Sequence, residues 1–323
     1  IIGSQIFIYF EQMKPMSTRN RSRFQPKIVT STFGRVDGEE TDKIVAIMKE
    51  CYKRLAPHEV DLVDLYIFER SSMVDAFLAD ESKQVGVAST SFNELFFSTH
   101  DAWRGFSRII ICLERMKRLP TLAQKGGIRH EVGHSVLHGS PLYYIFTIPP
   151  ALLDLAQRFK LSRQYVTDML YLISIAVKDY EVSRLLHKHG YIKDQMAFAK
   201  HALAPTESDK MTWEISKAKP EAEALCLVSH LKLIGHATPF LTNENSRKRM
   251  EYYMKESLSF LPEKNSTQLL ETPKFFQQLG LDTMKNIDTF TRLSVERIVK
   301  PLFEGEAEKR VLDFFNRRFV LGI

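Results

Sequence analysis

His130, Glu131 and His134 stand in the order His-Glu-Val-Gly-His. On a helix, residues four apart lie one above the other on the same face. Two imidazoles at that spacing can both reach one Zn²⁺ at about 2.0–2.1 Å. Glu131 then projects beside the metal rather than onto it. There its carboxylate can take a proton from water that the metal acidifies to a pKa of about 7. Two ligands and a general base in five residues are the means for hydrolysing an amide.

The flanks fit a helix. Ile128, Val132 and Val136 recur at helical spacing, and Gly139 and Pro141 supply a stop. Gly126-Gly127 reads as a flexible lead-in. A catalytic zinc needs a third protein ligand and one position left for water. Leu137 and Ser140 stand where the metzincin pattern requires Gly and His, so that arrangement is excluded. His138 shares the face of His134 but lies one turn too far along to share the metal. It is better placed to brace a ligand than to be one.

Downstream, the apolar helical stretch from Ile173 to Leu186 carries Asp179 and Glu181 at its centre. A buried carboxylate needs a cation, and zinc is one. Two residues apart on a helix is about 200°, so only one of these acids can meet the metal. Leu170, Ser174, Val177 and Leu185 share the side of Glu181. Leu172, Ile175, Ala176 and Leu186 share that of Asp179. Both sides are apolar, and periodicity does not choose between them.

At this point the chain resembles the gluzincin-type zinc metallopeptidases, which combine HExxH with a Glu from a later helix. The run from His130 to Gly139 also resembles the motif helix of ImmA/IrrE-type peptidases, commonly HELGHxxLH. The resemblance covers roughly residues 60–190 and implies His130, His134 and Glu181 as ligands of one Zn²⁺ per chain, with Glu131 as base. It implies a zinc-dependent peptidase acting on a peptide or protein substrate. The longer reach of a Glu side chain favours the same choice of Glu181, leaving Asp179 as its alternative. Leu185 departs from the family pattern, which often has an acid or Asn there. Tyr180, Tyr191, His201 and His230 are each chemically able to stabilise the oxyanion.

The elements that must position these groups read as an α+β, zincin-like catalytic domain followed by a mostly helical part. A strand is expected at Lys27–Thr32, and a helix capped by Thr41 running to Leu55. Further strands are expected at Leu62–Phe68, Val85–Thr90 and Arg108–Leu113, the last central because it is apolar on both faces. The motif helix comes next, at Leu122–His138. Val85–Thr90 is the candidate edge strand beside a cleft, where a peptide can add by backbone hydrogen bonds. The insert from Leu142 to Leu152, with Tyr143, Tyr144, Phe146 and Pro149-Pro150, suits either a side-chain pocket or a packed loop. Helices are expected near 150–158, 162–187, 193–203, 219–233, 245–258, 273–279 and 286–316. The domains read as an arm over 1–40, a metallopeptidase domain over 41–204 and a helical region over 205–323.

Composition sets the outer bounds. The chain has 323 residues, 44% hydrophobic and 26% charged, enough for a sizeable core. Cys51, Cys112 and Cys226 are scattered and odd in number, which argues for a reducing compartment and a cytoplasmic protein. Net charge is +6, partly from Arg19, Arg21 and Arg23 and partly from Lys309, Arg310, Arg317 and Arg318. Such an excess admits a nucleic-acid partner, although no nucleic-acid motif accompanies it. The alternative to a peptidase is therefore a regulatory or nucleic-acid-binding protein on a zincin scaffold. The apolar N-terminus lacks the charge and cleavage pattern of a signal peptide. No membrane span is expected, because no run reaches about 18 apolar residues.

Overall fold

The computed structural model describes residues 25–84 and 96–305. The expected strand Val85–Thr90 and both basic ends lie outside them. Four strands form one sheet: β1 (Lys27–Phe33), β2 (Leu62–Phe68), β3 (Ser98–Asp101) and β4 (Ser107–Cys112), in the order β1-β2-β4-β3. β1, β2 and β4 run parallel, and β3 pairs antiparallel with β4 at the edge. Among them lie α1 (Gly38–Leu55) and α2 (Ser71–Gln84). After β4 come a short α3 (Leu113–Met116) and α4 (Thr121–His138), the motif helix.

Side-chain alternation sorts the two faces of the sheet. Val63, Leu65 and Ile67 of β2, with Ile109 and Ile111 of β4, share a core with Ile44, Met48 and Tyr52 of α1 and Ile128 and Val132 of α4. Phe68, Ile110 and Cys112 face the other way, against Val74 and Phe77 of α2. β4 is thus buried on both faces, as its Ile-Ile-Ile run requires. α1 starts at Gly38 rather than at a Thr41 cap, because the Asp37 carboxylate accepts from the Glu39 N–H at 3.0 Å.

Arg108 of β4 anchors the edge. Its Nη1 donates to both carboxylate oxygens of Glu81 on α2 at 2.7 Å. Its Nε and Nη2 donate to Asp101 of β3 at 3.0 and 2.7 Å. A planar guanidinium with five donors can serve two carboxylates at once.

Helices make up the rest: α5 (Pro150–Phe159), α6 (Arg163–Lys188), α7 (Lys193–Ala202), α8 (Glu207–Ser216), α9 (Pro220–Ser229), α10 (Leu231–Ala237), α11 (Glu244–Ser257), α12 (Glu263–Leu270), α13 (Pro273–Phe276) and α14 (Thr283–Ser294). α8 and α12 are additions to the helices expected from the sequence. The chain is mixed α+β with a mostly helical remainder. It divides into two compact units that interleave in sequence. One holds the residues up to Phe146, with Lys178–Ala202 and Pro239–Met250. The other holds Thr147–Val177, Leu203–Thr238 and the residues from Glu251 onward. A single boundary near 205 therefore does not separate them.

The stretch Pro220–Thr242 bears on the expectation that no segment spans a membrane. It is 23 residues long and its most apolar 18-residue window has a mean hydropathy of 1.3, enough to cross a membrane by length and composition. Counting only unbroken apolar residues passes over it, because Glu221, Glu223 and Lys232 interrupt the run. Of its most apolar window, 72% is buried within the protein.

Gly126 and Gly127 lie inside α4, not ahead of it as a lead-in. A Cβ at Gly126 would stand 2.4 Å from the Asp194 carbonyl oxygen of α7, and one at Gly127 2.4 Å from the Phe97 ring. The two glycines are notches that bring α7 and the start of β3 against the motif helix.

Candidate metal centre

His130, Glu131 and His134 are held on α4, a helix packed between α1, α7 and the sheet edge. His130 and Glu131 are buried, at 4% and 6% exposure. The two Nε2 atoms face each other at 3.1 Å. The third member of the group comes from α6. Asp179 Oδ1 lies 3.1 Å from His134 Nε2 and 3.8 Å from His130 Nε2. Among the described residues, His130, His134 and Asp179 are the group able to hold a metal ion.

The spacing suits the purpose. A tetrahedral ion with bonds of about 2.0–2.1 Å sets its ligand atoms about 3.3 Å apart. The three distances, 3.1, 3.1 and 3.8 Å, bracket that edge. The donor set, two imidazoles and one carboxylate, suits zinc and leaves a fourth position for water. Burial holds the His134 pKa down to about 3, with the hydrogen bond to Asp179 working the other way and His130 adding to the depression. The ring is therefore neutral at physiological pH, the form that ligates. The His134 side chain is the most open of the three, at 14% against 6% for His130 and 7% for Asp179.

Gly133 explains how α6 comes so close. A Cβ there would stand 2.6 Å from Val182 Cγ1. Val182 and Leu186 pack into the core shared with α4. Asp179 lies three residues before Val182, so it shares the face of α6 that meets the histidines.

The expected third ligand, Glu181, is corrected. Its Oε2 accepts from His138 Nε2 at 2.9 Å, and His138 is fully buried. His138 Nδ1 lies 3.2 Å from His134 Nδ1. The two acids leave α6 on different sides, and each ends on a different histidine of α4. Only one meets the metal position, as the helical angle required, but it is the shorter acid. The close approach at Gly133 makes the extra reach of Glu unnecessary. Burial, opposed by Glu181, also lowers the pKa of His138.

Around this group, β3 supplies two side chains from one face, as residues two apart on a strand must. The Ser98 hydroxyl donates to Glu131 Oε1 at 2.9 Å and orients its carboxylate. The His100 ring lies nearly parallel to that of His134, with centroids 5.9 Å apart. Tyr144 Oη lies 3.2 Å from His100 Nδ1, while the buried His100 Nε2 has no hydrogen-bond partner. Burial, reinforced by His134, pulls the His100 pKa well below the usual imidazole range.

The aromatic insert packs onto the group. The Tyr143 ring stands edge-on to His138, with centroids 5.4 Å apart. Lys178 Nζ sits 4.5 Å from the Tyr144 ring centroid and donates to the Tyr143 carbonyl at 3.4 Å. Burial lowers the Lys178 pKa to about 8, against the pull of Asp179 and Glu181.

The expected oxyanion donors are placed otherwise. Tyr191 donates to Glu50 of α1, and His201 is exposed on α7. His230 belongs to the second unit, and the Arg184 guanidinium covers the Tyr180 ring. Of the groups beside the histidines, Tyr144 belongs to the aromatic insert noted in the sequence, while Ser98 and His100 carry no signal there. β3 has only four residues, too few for alternation to stand out.

Compared with protein-family models, curated proteins and solved structures, the chain gave no match in any of the three searches.

Proposed function

We propose that this chain is a zinc-dependent peptidase with a zincin-like active site. The observation that carries the reading is the convergence of His130, His134 and Asp179 around one point, with Glu131 beside them on the same helix. A structural metal site has no use for the adjacent base. When bound, zinc supplies Lewis acidity that polarises a scissile carbonyl and acidifies water. Glu131, oriented by Ser98, accepts the proton of the attacking water and hands it to the leaving amine. His100 stands beside the metal ligands as a donor for the oxyanion, held by Tyr144. Neutral His100 that accepts from Tyr144 at Nδ1 carries its proton at Nε2, the position a donor needs.

Elemental analysis of the purified protein, paired with digestion of a diverse peptide mixture, tests the reading. About one zinc per chain is expected. His130→Ala, His134→Ala and Asp179→Ala should each lose it. Glu131→Gln should keep the metal but lose turnover by about 10²–10⁴-fold, because an amide cannot take up the proton. Full zinc occupancy in the His130→Ala, His134→Ala double variant, or undiminished cleavage by Glu131→Gln, overturns it.

A further inference from the structure

Glu181 and His138 form a buried chain that ends on His134, and its proton positions can be assigned from chemistry. An ionised carboxylate only accepts hydrogen bonds, so His138 Nε2, 2.9 Å from Glu181 Oε2, carries a hydrogen. Both groups are almost wholly shielded from water, with side-chain exposures of 0% and 4%. A neutral imidazole carries one hydrogen, so a His138 that donates through Nε2 accepts at Nδ1. The atom facing it at 3.2 Å is His134 Nδ1. From this side His134 Nδ1 carries the hydrogen and Nε2 keeps its lone pair, whereas the Asp179 carboxylate, 3.1 Å from Nε2, draws the hydrogen to Nε2 until a metal stands between them. Nε2 is the atom that faces His130 and Asp179.

We propose that Glu181, acting through His138, is a positioning residue that favours the Nδ1–H tautomer of His134 against the pull of Asp179 and so presents its Nε2 to the metal. The inference rests on the metal-site reading above and deepens it. Tautomer choice matters because a neutral imidazole has one donor nitrogen and one acceptor nitrogen. An Nε2–H tautomer would point a hydrogen at the metal. Partners on the outer nitrogen of a ligating His fix both tautomer and ring orientation, and their loss typically weakens metal affinity about 10–100-fold. Here that partner is a second histidine, held in turn by a carboxylate. The edge-on Tyr143 ring and the continuous helix α4 hold the His138 ring in place. The sequence carries the arrangement as three histidines at intervals of four, His130, His134 and His138, on one helix face.

Two measurements test it. Long-range ¹H–¹⁵N NMR of the zinc-loaded wild-type protein reads the imidazole tautomers and needs no variant to fold. His134 is expected as Nδ1–H and His138 as Nε2–H. Zn²⁺ affinity is then measured by competition with a chelating dye for the wild type, Glu181→Gln and Glu181→Leu. The Gln amide oxygen still accepts from His138, so that variant should stay close to the wild type. Leu accepts nothing, and its affinity should fall about 10–100-fold. Wild-type His138 found as Nδ1–H overturns the proposal, as does a Leu variant that binds zinc like the wild type. So does a Gln variant as weak as Leu, since that would mean packing or charge acts alone. A wild-type chain that binds no Zn²⁺ removes the metal site itself. That outcome is distinct from zinc bound with unchanged affinity in the Leu variant, which removes only the relay.

Discussion

A histidine sealed from water must stay neutral, and that costs stability once the solution turns acidic. His230, buried at 7% exposure, is such a group away from the metal centre. Burial lowers its pKa below 6.5, and Asp209 only partly restores it. Above about pH 6.5 the ring is neutral in both the folded and unfolded chain, and pH has no leverage through it. Below that value the unfolded chain takes up a proton that the folded one refuses, so stability falls as pH falls. His230→Gln lacks this term. In urea unfolding, the stability advantage of wild type over His230→Gln should be larger at pH 7.5 than at pH 5.0. An advantage that is the same at both values would show that the ring titrates alike in the two states. The same physics keeps His134 neutral and able to ligate. At this scale the sequence carried the three motif residues outright, because four-residue spacing on a helix leaves little freedom. It could not rank Asp179 against Glu181. That choice depends on how closely two helices approach, and no single helix encodes it.

The approach is set by missing side chains. Gly126, Gly127 and Gly133 all lie within α4, where glycine weakens a helix by about 1 kcal/mol relative to alanine. Each faces a neighbour that a Cβ would strike. At Gly126 the obstacle is the Asp194 carbonyl, part of the α7 backbone, which cannot rotate aside. Gly126→Ala should therefore destabilise the protein by about 1–3 kcal/mol, in spite of the better helix propensity. Gly38 in α1 has open space where a Cβ would go, so Gly38→Ala should be neutral or mildly stabilising. Thermal unfolding of the two variants side by side checks the contrast; equal shifts would mean α7 moves away at little cost. Read locally, these glycines look like a hinge, because sequence shows their flexibility and hides their neighbours. Apolar, long elements such as β2, β4 and α6 were legible from pattern alone. The four-residue β3, which brings Ser98 and His100 to the motif helix, was too short to read.

The candidate centre draws on three parts of the chain: β3, α4 with the insert after it, and the last turns of α6. Lys178 and Asp179 open the segment that returns to the first unit after an excursion through Thr147–Val177. That excursion has its own partners much later in the chain. The Phe159 ring packs on Phe303 with centroids 4.9 Å apart, Tyr165 stands edge-on to the same ring, and Arg158 pairs with Glu304. A chain cut after residue 204, where the sequence alone suggests a boundary, would keep α5 and all of α6 but lose these partners. The face of α5 that meets Phe303, and the first turns of the helix that carries Asp179, would then lie uncovered. An exposed apolar surface of this kind promotes association and partial unfolding. The truncated chain 25–204 should therefore bind a hydrophobic dye, aggregate on concentration and hold Zn²⁺ less tightly than the full chain, even though it retains His130, His134 and Asp179. A monomeric 25–204 fragment with full-length thermal stability and zinc affinity would show that the residues beyond 204 are dispensable. The folding of α6 would then be independent of the helices beyond residue 204.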